Sequence, residues 1–144
     1  MDQTLRGEIE AGSEYADTMK FQSAEYSYMH AMSSSALSKE AAMNKWCDFI
    51  REKMNDFNSD KNSRNPRNRK TAYFNLGMGL HAVMDSTSPA HRGFQEWNWT
   101  DAFRHGDIPG TIENYYSSLS HVDETVGVIN QVMSGKLPVE CQCR

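Results

Sequence analysis

Two imidazoles and a carboxylate stand close together in HAVMDSTSPAH, residues 81–91. His81 and Asp85 are four residues apart, so on a helix they share a face and point at one spot. Pro89 pushes Ser88 out of helical geometry, which predicts a helix ending near Thr87 and a turn that can fold His91 back over its end. That end carries partial negative charge and favours a bound cation. A carboxylate within an otherwise apolar helix is costly unless it is paired or binds a metal. Imidazole and carboxylate together suit zinc better than magnesium, which prefers all-oxygen octahedral sites. Zinc with one open position lowers the pKa of its water to about 7, giving hydroxide at neutral pH. The same residues also describe a plain buried His–Asp hydrogen-bonded pair with His91 at the surface.

The spacing His81-x3-Asp85-x3-Pro89-x-His91 resembles the metal-binding core of the zinc-dependent phospholipase C family and of the related zinc-dependent single-strand nucleases. The resemblance implies an all-helical phosphodiesterase with one to three zinc ions. By position, His81 and Asp85 share one zinc, Asp85 bridges to a second, and His91 binds another. A bridging Asp85 would let both the attacking and leaving oxygens of a phosphoryl displacement be stabilised. The family places a further His downstream, and His105 follows His91 by fourteen residues. Its Glu four residues later is Pro109 here, so that ligand is missing or comes from Asp107 or Glu113. His30 is the one upstream candidate for the family's additional histidines, with a core histidine as its other reading. The expected set is thus His81 and Asp85 as catalytic residues, and His81, Asp85, His91, His105 and His30 as zinc ligands.

ADTMKFQSAEYSYMHAM and HAVMDSTSPAH also resemble the C-terminal toxin domains of bacterial Rhs-repeat polymorphic proteins. That resemblance implies a secreted antibacterial domain, delivered into a target cell as part of a larger Rhs-type protein by a contact-dependent (type VI-like) secretion system. A cognate immunity protein would protect the producer. MDQTLRGEIEAG lacks the basic-then-apolar pattern of a cleavable signal, so the alternative to delivery is a cytoplasmic protein.

These residues need a scaffold, and the hydrophobic periodicity predicts an all-α bundle of four to six helices in one domain, residues 1–144. Its centre is a buried helix at about residues 70–87. Tyr73, Leu76, Leu80, Val83 and Met84 form one apolar face, with Phe74 and Met78 opposite. Gly77 and Gly79 make sense there only where another helix packs very close, because glycine costs a helix about 1 kcal/mol. Before it, Ser38 caps a helix whose stripe is Met43, Trp46, Cys47, Ile50, Met54 and Phe57. Residues 58–70 read as an exposed loop, with the basic cluster Arg64, Arg67, Arg69 and Lys70 solvated. Residues 1–12 suit a short polar helix. A stretch from Glu14 to Met32, breaking near Gln22–Ser23, turns Phe21, Tyr26, Met29 and His30 inward.

Downstream, Thr100 can cap a short helix ending at Gly106, with His105 in its last turn, and Thr111 a long one. The long helix carries a stripe of Ile112, Tyr115, Tyr116, Leu119, Val122, Val126, Ile129 and Met133, stopped by Gly135. His121 lies off that stripe, on a solvated face. The tail to Arg144 reads as loose. Three cysteines, Cys47, Cys141 and Cys143, argue by their odd number against a disulfide framework.

Composition narrows the function. A net charge of −4 does not suit a nucleic-acid binder, because phosphate binding draws on a surplus of Lys and Arg. It leaves open a nuclease whose metals engage the phosphate. No run of eighteen apolar residues is present. Phe94, Trp97 and Trp99 could seat in a lipid interface, stack on bases, or simply fill the core. The reading is a zinc-dependent phosphodiesterase of phospholipase C type, with phospholipid favoured as substrate. The alternatives are a metal-dependent nuclease and a non-enzymatic helical binding module.

Overall fold

A computed structural model describes residues 2–88, 91–97 and 119–142. The architecture is all-α. Helix α1 spans Gln3–Ala16, α2 Lys39–Asp60, α3 Pro66–Thr87, and α4 Leu119–Met133. Short 3₁₀ segments lie at Met19–Phe21, Ala24–His30 and Val139–Cys141.

Three helix starts follow local chemistry. Asp2, Ser38 and Asn65 each accept a hydrogen bond from a first-turn amide, those of Thr4, Ala41 and Arg67. Pro66 occupies the first turn of α3, where its missing N–H costs nothing. The exposed loop expected over residues 58–70 is therefore much shorter. Helix α2 runs on to Asp60, and the Asn65–Pro66 pair starts α3, so the proline opens a helix there.

Helix α3 is the centre of the bundle, packed between α1 and α2 and touching α4 and the 3₁₀ segment Ala24–His30. Leu76, Met78, Ala82 and Val83 are buried, but Met84 is exposed, so the core-facing stripe rotates away from it. The Trp46 indole N–H donates to the Ala82 carbonyl at 2.9 Å, pinning α2 to α3 beside His81. On the other side the backbones of α1 and α3 nearly touch. A Cβ on Gly12 would stand 2.0 Å from the Phe74 carbonyl oxygen, and one on Gly77 would stand 2.1 Å from that of Ile9. The close packing expected at Gly77 is present, and the partner is α1. That helix is longer than expected and packs firmly on α3.

The stretch expected to be helical from Glu14 to Met32 divides at Asp17. Its second half is 3₁₀, ending at Ala31 with φ of 52°. Phe21, Met29 and His30 are buried, as expected. The chain after His91 is stitched to this region. Ser33 N–H donates to the Gln95 carbonyl and Trp97 N–H to that of Ser33, at 3.0 and 2.8 Å.

Two expectations about the C-terminal part are corrected. In α4, Val122, Val126 and Met133 are exposed while Val132 is buried, so the apolar stripe does not face inward along its whole length. The tail is not loose, at least to Gln142. Pro138 is fully buried, and Cys141 is bonded to Cys47 of α2 in a buried disulfide. The odd cysteine count pointed the wrong way, because pairing depends on which cysteines the fold brings together. With a sequence separation of 94, the bridge restricts the unfolded chain, worth about 4–5 kcal/mol by loop-closure entropy. Cys47→Ser is therefore expected to lower the urea midpoint in non-reducing buffer and to erase the wild type's sensitivity to dithiothreitol. Equal midpoints with and without reductant in the wild type would contradict this.

Candidate metal centre

Three separate segments deliver the site. Asp17 closes the C-terminal end of α1, His30 ends a 3₁₀ segment, and His81 and Asp85 lie one turn apart on α3. The Gly12–Gly77 contact sets the height of Asp17 above α3. The left-handed turn at Ala31 and the backbone stitching at Ser33 fix the direction of His30.

The polar atoms converge. His30 Nδ1 lies 3.0 Å from Asp85 Oδ2, His81 Nε2 lies 3.2 Å from the same oxygen, and the two nitrogens are 3.3 Å apart. Asp17 Oδ1 lies 3.2 Å from His81 Nε2 and 3.8 Å from His30 Nδ1. Asp17, His30 and His81 form a group able to hold a metal ion, their ligand atoms all within 4.8 Å of one another. Asp85 touches both rings and is a fourth candidate. A ring nitrogen carries at most one proton, so two nitrogens cannot make all five contacts as hydrogen bonds. A tetrahedral ion with bonds of about 2.0–2.1 Å would place its ligand atoms about 3.3 Å apart. Two neutral imidazoles with two carboxylates also leave two negative charges side by side, that of Asp85 largely buried, which a divalent cation would neutralise.

Outer partners orient the rings. Ser13 Oγ lies 3.3 Å from His81 Nδ1, and as acceptor from Nδ1–H it leaves Nε2 to face the cluster. The Gln22 side-chain amide nitrogen lies 3.5 Å from His30 Nε2 and donates to the Asp17 backbone carbonyl at 3.2 Å, tying that ring to the end of α1. His91 Nδ1 donates to the His30 backbone carbonyl at 2.6 Å.

Without metal the cluster holds protons. Burial works against a charged His81, but hydrogen bonds to Asp17 and Asp85 outweigh it, and its pKa is pushed up to about 10. Burial likewise opposes ionisation of Asp85. Hydrogen bonds from His30 and His81 override it and hold the carboxyl well below the usual carboxylate range. His81 is raised, so its contribution to stability is complete below its ordinary value of 6.5 and fades as pH climbs through about 10. Asp85 is depressed, so its contribution is complete above 3.8 and fades as pH falls below that. The metal-free protein is thus expected to be most stable between pH 3.8 and 6.5 as far as these groups decide it. A zinc ion held by the cluster would take the place of the His81 proton, so if zinc binds there, adding it should move the maximum to higher pH. Thermal unfolding against pH, with chelator and with zinc, checks this; identical profiles would refute it.

His81, Asp85 and His30 come together. His91 is buried beside them, with its Nδ1 donating to the His30 backbone carbonyl. Its backbone N–H donates to the Ser88 carbonyl at 3.0 Å, which holds it close to the end of α3. His105 and Trp99 lie outside the described residues, as do Asp107, Glu113 and the expected helix starts at Thr100 and Thr111. His121 falls in α4, with no described side chain. Phe94 is not available to a substrate: it is buried edge-on against Trp46, ring centroids 5.4 Å apart. Trp97 is half-buried. Asp17 is the member of the group that no sequence motif singles out. Gly77 signals a close neighbour of α3, and the structure shows that neighbour to be α1, which carries Asp17 to His81.

The chain matches no family model, no curated protein and no solved structure. Among the described residues no helix is long and apolar enough to cross a membrane.

Proposed function

We propose that the Asp17–His30–His81–Asp85 cluster holds zinc and that the protein hydrolyses phosphodiesters, with phospholipid favoured over nucleic acid. The observation that carries the reading is the meeting of His30 Nδ1 and His81 Nε2, 3.3 Å apart, with one carboxylate oxygen each of Asp17 and Asp85, which lie 3.0–3.8 Å from those nitrogens. A zinc ion there supplies Lewis acidity toward a phosphoryl oxygen and lowers the pKa of water toward about 7. His30 and His81, held by Gln22 and Ser13, fix the direction from which the phosphate is met. Asp85 neutralises charge and locks both rings. Ligand count favours one ion at this cluster. The acidic net charge favours a lipid over a polyanionic substrate.

The resemblance to Rhs-type toxin domains extends the proposal to a delivered antibacterial enzyme with a cognate immunity protein. The buried disulfide supports an oxidising destination, since such bonds persist mainly outside the reducing cytosol. The test is zinc content of the purified protein, followed by hydrolysis of bis(p-nitrophenyl) phosphate, phosphatidylcholine, RNA and single-stranded DNA. Zinc-dependent release of phosphocholine is the expected result. Degraded nucleic acid with intact lipid would replace phospholipase by nuclease. A zinc-loaded protein inert on all four, or one that takes up no zinc, would leave a non-enzymatic module.

A further inference from the structure

The four converging groups are not equally protected. Both histidines are buried and the Asp85 side chain is 16% exposed, but that of Asp17 is 61% exposed. Asp85 meets the two rings almost symmetrically, at 3.0 and 3.2 Å, whereas Asp17 meets them at 3.2 and 3.8 Å. The backbones differ as well. Asp85 lies within the last turns of α3, while Asp17 is the residue at which α1 stops and the chain turns away.

We propose that Asp17 is the exchangeable ligand of the centre. In the resting protein its carboxylate occupies the position that an incoming oxyanion, such as a phosphate-ester oxygen, takes during binding. This rests on the zinc reading above. A ligand that leaves must be solvated again: an exposed carboxylate regains its water at little cost, and a buried imidazole or Asp85 cannot. Asp17 covers the solvent side of the cluster, which is where a substrate arrives. Exchange of one oxyanion for another also keeps the charge balance close to that of the resting site, so binding does not have to place an added negative charge beside Asp85. Asp17 then acts as a built-in competitor. A tethered group of this kind works at an effective concentration around the millimolar range, so free phosphate must reach about that level to displace it.

The experiment uses the full chain loaded with cobalt(II) in place of zinc, whose visible absorption reports coordination, and inorganic phosphate as the probe. Asp17→Ala should keep cobalt affinity within about tenfold of wild type, unlike Asp85→Asn, because the more buried ligands remain. Its phosphate midpoint should fall at least about tenfold below that of the wild type, because the internal competitor is gone. If Asp17→Ala loses cobalt as completely as Asp85→Asn, Asp17 is a permanent ligand and the inference fails. It fails too if both proteins give the same phosphate midpoint. Asp17→Asn, which keeps the side chain's shape, carries the same test if the alanine variant does not fold. A wild type that takes up neither cobalt nor zinc would instead overturn the zinc reading and this inference with it.

Discussion

Asp85→Asn is expected to lower zinc affinity by about a hundredfold or more while leaving the helical content of the metal-free protein intact. The carboxylate is the only group in the cluster that approaches both ring nitrogens within 3.2 Å. Asparagine keeps its volume, so the packing of α3 survives, but it removes the charge that meets both imidazoles and that the proposed zinc would draw on. His81→Ala should have an equal or larger effect, since it removes a ligand and also the partner of Ser13 and Asp17. If the zinc is catalytic, both variants lose phosphodiesterase activity in proportion to their zinc. Chelator competition gives the affinity and far-ultraviolet circular dichroism the fold. Full zinc occupancy in Asp85→Asn would remove the metal assignment altogether.

The residues of this site differ in how readily the sequence discloses them, and the difference is physical. His81 and Asp85 are legible because helix geometry alone places i and i+4 on one face, whatever surrounds them. His30 is 51 residues from His81, and no periodicity connects the two. Its place depends on a 3₁₀ segment and a left-handed turn at a non-glycine residue, Ala31, which local preferences do not announce. Asp17 is harder still, because its role depends on how closely α1 lies on α3. Two glycines within the ligand helix indicated a close neighbour. Identifying that neighbour required matching Gly77 to Gly12, and a glycine near the end of a polar helix gives little reason to do so. Cys47 and Cys141 illustrate the same limit, since nothing local to either cysteine encodes a bridge spanning 94 residues. The all-α class was legible throughout, because the stripe of α2 and the caps at Ser38 and Gly135 are local signals. Asn65–Pro66 was misread because the same dipeptide suits a turn and a helix start. Which one it becomes depends on whether the segment that follows can bury its apolar face, as α3 does.

Gly77→Ala tests how far the scaffold and the site are one object. The new Cβ would lie 2.1 Å from the Ile9 carbonyl oxygen, 2.9 Å from its carbonyl carbon and 3.0 Å from the Ser13 amide nitrogen. All three are backbone atoms of α1, so no side chain can rotate aside, and the helix itself must move by about an ångström or more. Alanine's better helix propensity, about 1 kcal/mol, works in its favour. Overpacking of this kind costs about 1–3 kcal/mol or more, and against rigid backbone it should fall at the upper end. The expected net loss is about 2 kcal/mol. Gly79→Ala is the internal control. Its Cβ would meet only Lys53 Cβ, at 3.1 Å, so the propensity gain and the contact should roughly cancel. The two substitutions are chemically identical and two residues apart, which removes composition and helix propensity as explanations for any difference. Helix α1 also carries Ser13 and Asp17 to the cluster, so displacing it should weaken zinc binding in Gly77→Ala and not in Gly79→Ala. Urea unfolding of the metal-free proteins gives the first comparison and chelator competition the second. Equal stability of the two variants would mean that α1 does not lie on α3 as described. A destabilised Gly77→Ala with unchanged zinc affinity would separate the helix contact from the metal centre.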